Sequence, residues 1–483
     1  MNGWSRAGHV SRRYMVQIQR CTTQIQQYTT QAPRAVRGMA DRIGLAEYKH
    51  QHILKIAQST ATQYGYTPIH TPIVEYSSIF ERTLGTNSDV VGKEMYKFLD
   101  SSNSWMTLRP EGTASVARAI ITNKLEHSMP QRLFYSEPMF RHERPQRGRQ
   151  RQFEQFGVEL VGVAHPAADV ECVQLGWDFL RALQVPGQLV LHINTLGDPE
   201  SRSAYRKALA QYFGQHRNEL SDDSQRRLDT NPLRILDSKH ESDLRITAAA
   251  PAYTNYLTPA SRAHFAFVTN ALHKLGISFA VNPRLVRGLD YYQHTVWEVA
   301  CVSDELGRSQ ATVLAGGRYD GLTSMLGGSR QLPGVGWASG IERLALVMPD
   351  SCVPVPEPPV PVLIIPDRSA RETTPDQPLH GTSPDRPSRE VKPDVYTYAM
   401  RVARDIRKFR SACVVHGTSD SATNHQPLSK QLATVLARQP IPTHVVIVGS
   451  HEMELNRVIV RDTLSQTQHE ISIDNIGQAL IQN

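Results

Sequence analysis

The hydrophobic pattern changes period several times along the chain. Over 45–63 (LAEYKHQHILKIAQSTATQ), Leu45, Tyr48, His52, Ile53 and Ile56 recur at helical spacing and predict a helix. GYTPIHTPIVEY breaks that pattern, and Pro68 and Pro72 predict an extended segment. Residues 131–162 predict two strands around a basic loop. In the return strand Gln155, Gly157 and Glu159 share one face, and Phe156, Val158 and Leu160 share the other. The apolar face is expected against helices, and the polar face has a gap at Gly157 where a substrate can approach the backbone. The polar stretch at about 195–282 predicts an inserted helical subdomain. Strands, Gly-rich turns and a last helix follow over 284–348. RLVRGLDYYQHTVWEV (284–299) alternates like a strand, yet carries Arg284, Arg287, Asp290, Tyr291 and Tyr292.

PDSCVPVPEPPVP (349–361) reads as a Pro-rich linker. Beyond it VLIIP predicts a buried strand. The polar, Pro-rich, aromatic-free stretch 367–394 predicts a disordered insertion. Helical and strand patterns then alternate (YTYAMRVARDIRKF, ACVVH, PLSKQLATVLAR, THVVIVG), which makes 362–483 a small α/β domain. A chain of 483 residues accommodates two or three such domains. No stretch approaches the roughly 20 apolar residues of a membrane span. Cys21, Cys172, Cys301, Cys352 and Cys413 are scattered without a C-x-x-C pair, which argues against zinc or a disulfide framework.

Charge modifies the picture at the N-terminus. The net charge is +7, but residues 1–40 hold six arginines and no acid, so the rest of the chain is near +1. Any polyanion site in the body must be a local patch. Arg6, Arg13 and Arg20 fall at seven-residue spacing among Ser and Thr. That composition fits a disordered mitochondrial transit peptide over 1–33, with the mature chain starting near Pro33 in the matrix. The alternative is a basic tail that touches RNA. A second start at Met15 or Met39 would give a cytosolic form, the latter trimming VRGMAD.

Four segments carry candidate chemistry. In FRHERPQRGRQRQFEQFGVELVG (140–162), period two sets Arg141 and Glu143 on one face, and the loop carries Arg144, Arg147, Arg149 and Arg151 around Gly148. Guanidinium forks bind phosphate bidentately, so this pair of strands suits a phosphate-bearing ligand; the plain alternative is a solvated hairpin. In TLRPEGTASVARA (107–119), Arg109 and Glu111 precede a helix opened by Gly112 and Thr113. Glu111 there suits an ammonium or imidazole, with Thr113 as an ordinary N-cap as the plain alternative. AGGRYDG (315–321) reads as a Gly-rich turn that permits close backbone approach. GVGWASGIERLAL (334–346) reads as an apolar strand running into a helix at Ile341, with glycines making room for a flat ring and Arg343 able to reach a polyphosphate. Neither G-x-G-x-x-G nor a G-x-x-x-x-G-K-[ST] loop fits.

Together these segments resemble class II aminoacyl-tRNA synthetases, and specifically the histidyl-tRNA synthetases, from about PRAVRGMAD (33–41) to the C-terminus. FRHERPQRGRQRQF resembles motif 2, GVGWASGIER motif 3, and HTPIVE, with Pro72, the dimer-forming motif 1. LVRGLDYY and AGGRYDG resemble the two histidine signatures, and TNPLRILDSK (230–239) matches in the inserted domain. The class I signatures H-I-G-H and K-M-S-K-S are missing from the sequence.

The resemblance implies an α+β fold. Residues 34–348 would form a catalytic domain with an antiparallel sheet flanked by helices, its helical insertion gripping the tRNA acceptor arm. The C-terminal α/β domain would bind the anticodon, and the chain would be a homodimer. Histidine and ATP would give histidyl-adenylate, then transfer to the 3′ end of tRNA(His), with Mg²⁺ accompanying ATP and no organic cofactor. Arg141 would hold the α-phosphate and Arg343 the γ-phosphate. Glu143 would lie by adenine and Mg²⁺. Glu111, Thr113 and Gln155 would bind the amino group. Glu159 and Tyr292 would read the imidazole, with Tyr291 and Tyr319 beside it. Arg287 would bridge carboxylate and α-phosphate, and Arg144 and Gln146 would meet the acceptor end.

The sequence departs from the family pattern at Leu314, where a small residue or Cys is usual, and at Ser339, where Met is common. The glycine-rich turn near TSDSATNHQPLSKQL is lost. The rival is a catalytically silent paralogue, such as a histidine-sensing regulatory subunit of ATP phosphoribosyltransferase. Such paralogues typically erode the motif arginines or drop the C-terminal domain, whereas Arg141, Arg287 and Arg343 all stand here.

Overall fold

A computed structural model describes residues 32–85, 88, 90–185, 187–238, 240–285, 291–303, 312–365, 393–415, 428–437 and 440–481. The transit segment expected at 1–33 lies outside them up to residue 31, the insertion expected at 367–394 up to residue 392, and Arg287 entirely. The chain divides into two compact units, Met1–Pro354 and Val355–Asn483.

The first unit is built on an eight-stranded sheet. Its strands in chain order are β1 (Thr67–Pro68), β5 (Gln131–Phe140), β6 (Gln152–Val161), β7 (Gln188–Thr195), β8 (Phe279–Val281), β9 (Gln293–Val302), β10 (Thr312–Arg318) and β11 (Gly334–Gly340). The intervening β2 (Val74–Tyr76), β3 (Lys97–Leu99) and β4 (Trp105–Leu108) make a separate three-stranded sheet. The large sheet runs β1-β5-β6-β11-β10-β9-β7-β8. Pairing is antiparallel throughout its centre and parallel only at the two edges, β1 with β5 and β7 with β8. Strand and helix elements are segregated in an α+β architecture.

Alternation decides what each face does. Phe156, Val158 and Leu160 of β6 join Val335 and Trp337 of β11 in one core with the helices Leu45–Gln63, Ala167–Ala182 and Ile341–Val347. The first of these helices forms where its spacing predicts. Its buried stripe is Ile53, Ala57 and Ala61, four residues apart, while Leu45 and Tyr48 face out. The departures Leu314 and Ser339 are direct cross-strand partners on β10 and β11. The larger side chain at 314 fills space against Gly176, and the Ser339 hydroxyl donates to the Val313 carbonyl (2.7 Å). A large residue at one position and a small one at the other therefore share a single volume.

The inserted helices Pro199–Gln215, Asp222–Thr230 and Glu241–Ala248 have their own core, from Tyr205 to Leu257. The helix Pro259–Lys274, expected within the insertion, instead places Val268 and Leu272 in the main core. The insertion joins the body at two cross-linked helix caps. Asp198 accepts from Ser201 N (2.8 Å) and Thr258 Oγ1 from Ser261 N (3.1 Å), while the Asp198 carboxylate also accepts from the Thr258 and Ser261 hydroxyls.

The second unit has a five-stranded sheet. Its strands are β12 (Val360–Ile364), β13 (Ala412–Val415), β14 (His444–Val448), β15 (Arg457–Asp462) and β16 (Gln468–Ser472), in the order β13-β12-β14-β15-β16. β12 and β14 are buried at every residue, as parallel strands covered on both faces must be. The helix Pro393–Ile406 covers one face and Leu428–Leu436 the other. The terminal hairpin β15–β16 is not among the elements the pattern predicts.

Candidate active site

The side of the large sheet away from its main helical core carries the polar positions of β5 and β6, with Glu159 at its centre. Glu159 is 1% exposed, yet both carboxylate oxygens are engaged. Thr113 Oγ1 donates to Oε1 (2.7 Å), and the Tyr319 hydroxyl donates to Oε2. Burial pushes its pKa up to about 8; hydrogen bonds from Tyr319 and Thr113 oppose that shift, and the nearby charge of Glu111 adds to it. A carboxyl poised near neutrality on a buried floor is the usual mark of a functional site.

Thr113 reaches Glu159 because it is not the N-cap. The helix Thr113–Thr122 begins at Gly112, which offers no side chain, and Glu111 caps it instead. Its carboxylate accepts from Thr113 N (2.7 Å) and Ala114 N (2.8 Å). This frees the Thr113 hydroxyl for the pocket. Burial raises the Glu111 pKa against those two bonds and the charge of Arg141.

The phenols close the pocket. Tyr291 and Tyr292 have ring centroids 4.8 Å apart, and Tyr291 lies edge-on to Tyr319 at 5.9 Å. All three are buried, and burial raises the pKa values of Tyr291 and Tyr319 far above the phenol range, so both are neutral donors. Among the described residues of the strand expected over 284–299, β9 starts at Gln293. Tyr291 and Tyr292 precede it in a turn, which lets adjacent residues point into one pocket; on a strand they would point to opposite faces. Arg287 and Asp290 lie outside the described residues.

The glycines of this face make room for the protein's own groups. A Cβ on Gly317 would meet the Tyr292 ring at 2.7 Å, on Gly334 the Tyr319 ring at 2.3 Å, and on Gly336 the Glu159 carboxylate at 2.1 Å. The expected gap over Gly157 is likewise occupied: a Cβ there would lie 2.3 Å from the Tyr135 ring. Of the motif 3 glycines, only Gly340 has nothing within 4 Å of where a Cβ would stand. AGGR is also strand, not turn, since β10 runs through Arg318. That arginine turns to the helical side and forms a fully buried ion pair with Asp169 (2.5 Å).

The second half of the site is the arginine hairpin. Arg141 follows β5; its Nε donates to the Pro110 carbonyl (2.9 Å), and its guanidinium lies 5.4 Å from the Phe153 ring centroid. Glu143 pairs with Arg149 (3.3 Å). Arg144 and Gln146 are exposed on the loop, which a Gln146–Arg149 bridge and Gly148 at φ +73° turn back. A Cβ on Gly148 would stand 3.2 Å from Arg343 Cγ, so the hairpin closes onto the helix Ile341–Val347. Arg343 donates to the Thr312 carbonyl (2.6 Å). Glu342 at the same junction accepts from Glu154 N (2.8 Å), and burial pushes its pKa up to about 7.

The structure thus gathers Glu111, Thr113, Glu159, Tyr291, Tyr292 and Tyr319 into one pocket. Gln155 lies on the same face, with its Oε1 buried and unpaired among the described residues. Sequence reasoning missed Tyr135, because its place opposite Gly157 follows from the β5–β6 register rather than from any motif. It also missed a basic cleft between the insertion and the body. Lys93, Arg202, Arg206, Arg226, Arg227 and Arg234 line it together with Asp223, which pairs with Arg226. Arg202 Nη1 donates to the Tyr292 carbonyl (3.0 Å), tying that cleft's wall to the pocket.

The family described as histidyl-tRNA synthetase matches residues 38–344 of the chain. A histidine–tRNA ligase of Rhodospirillum rubrum is 54% identical over 327 residues, covering 68% of this chain and 78% of the relative. One from Gluconobacter oxydans is 40% identical over 444 residues, covering 92% of this chain and 97% of the relative. Among solved structures, apo histidyl-tRNA synthetase of S. aureus superposes with a TM-score of 0.70 at 27% identity, over 93% of this chain and 100% of that one. The match thus runs through the buried Glu159 pocket, the arginine hairpin and nearly the whole length of a relative: the chain belongs to the histidyl-tRNA synthetase family.

Proposed function

We propose that this aminoacyl-tRNA ligase activates L-histidine with ATP to histidyl-adenylate and pyrophosphate, then transfers the histidyl group to the 3′ end of tRNA(His). The observation that carries the reading is Glu159, buried and held by Thr113 and Tyr319 on a floor continuous with the arginine hairpin. An imidazole needs a partner for each ring nitrogen, and a carboxylate with a phenol supplies both. Glu159 and Tyr292 take that role, with Tyr291 and Tyr319 beside them; Glu111, Thr113 and Gln155 take the amino group.

Attack by a carboxylate on a phosphate needs two anions brought together and the developing charge neutralised, and no protein nucleophile. Arg141 serves the α-phosphate and Arg343 the γ-phosphate. Arg287 bridges carboxylate and α-phosphate. Mg²⁺ accompanying ATP would offset phosphate charge, and the hard carboxylate oxygens of Glu143 would suit it. Histidine-dependent ATP–pyrophosphate exchange tests the reading, and a folded protein silent at saturating histidine would sink it.

Four finer assignments belong to the same proposal. Arg144 and Gln146, exposed at the hairpin tip, meet the acceptor end, and the basic cleft of the insertion supports a grip on the acceptor arm. The C-terminal α/β unit binds the anticodon. A homodimer is supported by exposed apolar side chains on the small sheet, Tyr76, Phe98, Leu99 and Trp105 among them. A monomer at micromolar concentration in sedimentation equilibrium would remove it. The arginine-rich, acid-free head supports import into mitochondria for protein synthesis there. A reporter fused to residues 1–40 that stays cytosolic would defeat that assignment.

A further inference from the structure

Tyr135 stands on β5 directly opposite Gly157 of β6. Its ring is wedged between two glycines from different elements. A Cβ on Gly157 would lie 2.3 Å from both Cζ and Oη, and one on Gly112 would lie 2.3 Å from Cζ and 2.7 Å from Oη. Neither glycine has a positive φ, so the demand at both positions is for space. The side chain is 1% exposed, and this double contact fixes it in one orientation.

A ring that only filled this space would need no hydroxyl. Here the hydroxyl is buried without a hydrogen-bond partner among the described residues. Thr113 and Glu159 are its polar neighbours at hydrogen-bonding range, but neither completes the geometry of a full bond to it. Buried phenols ordinarily have a partner. Gly112 lies between Glu111 and Thr113, and Gly157 between Gln155 and Glu159 along the polar side of β6. The hydroxyl therefore stands where the two halves of the amino-acid pocket meet. Two further buried oxygens are unpaired among the described residues: Tyr291 Oη, whose ring meets Tyr319, and Gln155 Oε1 on the same face of β6. Such groups match a small polar ligand that carries N–H donors.

We propose that Tyr135 is a specificity-determining residue of the amino-acid pocket: its hydroxyl accepts a hydrogen bond from an N–H of the bound amino acid, and its locked ring sets the depth of the pocket. The inference rests on the histidine-activating reading above and adds a contact to it. Loss of the hydroxyl leaves the ligand N–H unpaired, which a polar site discriminates strongly. The ATP contacts do not pass through it.

The test is Tyr135→Phe in the full chain, which keeps the ring and removes the oxygen. L-Histidine binding is measured by titration calorimetry, alongside exchange kinetics and thermal melting. The expected result is a histidine Kd raised by ~10-fold or more, with the KM for ATP and the melting temperature essentially unchanged. Gly157→Ala drives a methyl onto the phenol and should produce the same histidine-selective loss. An unchanged histidine Kd, as expected of a hydroxyl satisfied by interior water alone, overturns the proposal. So does an equal loss for histidine and ATP, or a collapse in the melting temperature of Tyr135→Phe, either of which marks a purely structural ring. Because calorimetry needs no turnover, a wild-type chain that binds histidine without exchange would sink the ligase reading alone. A wild-type chain that does not bind histidine overturns both.

Discussion

The Glu159 pocket and the basic cleft of the insertion are built by opposite means. In the pocket, Glu159, Glu111 and the phenols are buried, and nearly every polar contact is fixed by strand register or a helix start. In the cleft, Arg206 and Arg226 are exposed on helices of a satellite core, and Asp223 offsets part of the charge. A small ligand is discriminated by leaving its isosteres with unpaired groups in a dry site. A polyanion is held by many screened charges, none decisive. The arginine hairpin is intermediate: Arg141 is anchored on Pro110, whereas Arg144 is exposed.

The comparison breaks most sharply at the arginine proposed to serve both halves of the reaction. Arg287→Ala should lower the rate of adenylation by ~10²-fold or more with little change in histidine binding, as for loss of a transition-state charge partner. Unchanged single-turnover formation of adenylate would refute its role.

Glu159→Gln comes next. It should weaken histidine binding by roughly 10- to 100-fold while leaving ATP binding nearly intact; equal losses would count against Glu159 as the imidazole reader. The pH dependence sharpens this. Its carboxyl titrates at about 8 in the folded protein, against 4.5 ordinarily, so the native state holds the extra proton between those values. Its contribution to stability is therefore fully present below the lower value and lost as pH rises through the upper one. A ligand that favours the carboxylate must displace that proton. Histidine affinity should then rise from about pH 6 to about 8 with proton release in calorimetry, and Glu159→Gln should flatten the rise. A profile identical in both proteins would exclude this coupling.

The smallest effect is expected in the cleft. Arg206→Glu should lower kcat/KM for tRNA by about 5-fold and reduce its salt dependence, with pyrophosphate exchange untouched. A comparable loss in exchange would mean that the two regions are not separable. The hydrogen bond from Arg202 to the Tyr292 carbonyl makes Arg202 the wrong residue for this test.

Much of the site is legible in the chain. FRHERPQRGRQRQF announces a strand, an arginine loop and a strand; β5 ends at Phe140 and β6 starts at Gln152, so Arg141 and Glu143, expected on one strand face, lie in the loop instead. GVGWASGIER places a strand-to-helix junction at Ile341, where it occurs. Local alternation suffices because both faces of β6 are strongly specified, one apolar and one polar. The misreadings share a cause. Gly157, Gly317, Gly334 and Gly336 read as openings for a ligand, because a sequence shows a missing side chain and not the neighbour that fills the space. Tyr291 and Tyr292 read as strand because alternation cannot say where pairing begins, and β9 takes up only at Gln293. The plain alternative for Thr113, an ordinary cap, fails because Glu111 takes the helix N–H groups first.

The sequence by itself determined the periodicities, and with them the hairpin, the motif 3 junction, the fully buried β12 and β14, and the residue types that suit phosphate and imidazole. Tertiary structure alone decided which oxygen faces which hydroxyl. Glu159 meets Thr113 from 46 residues away and Tyr319 from 160. It also set Leu314 opposite Ser339, so that two apparent departures fall on a single rung. The reason is that local pattern fixes the face a side chain occupies. Its partner depends on strand order, register and the helices packed above, which join distant segments and leave no mark at either position alone.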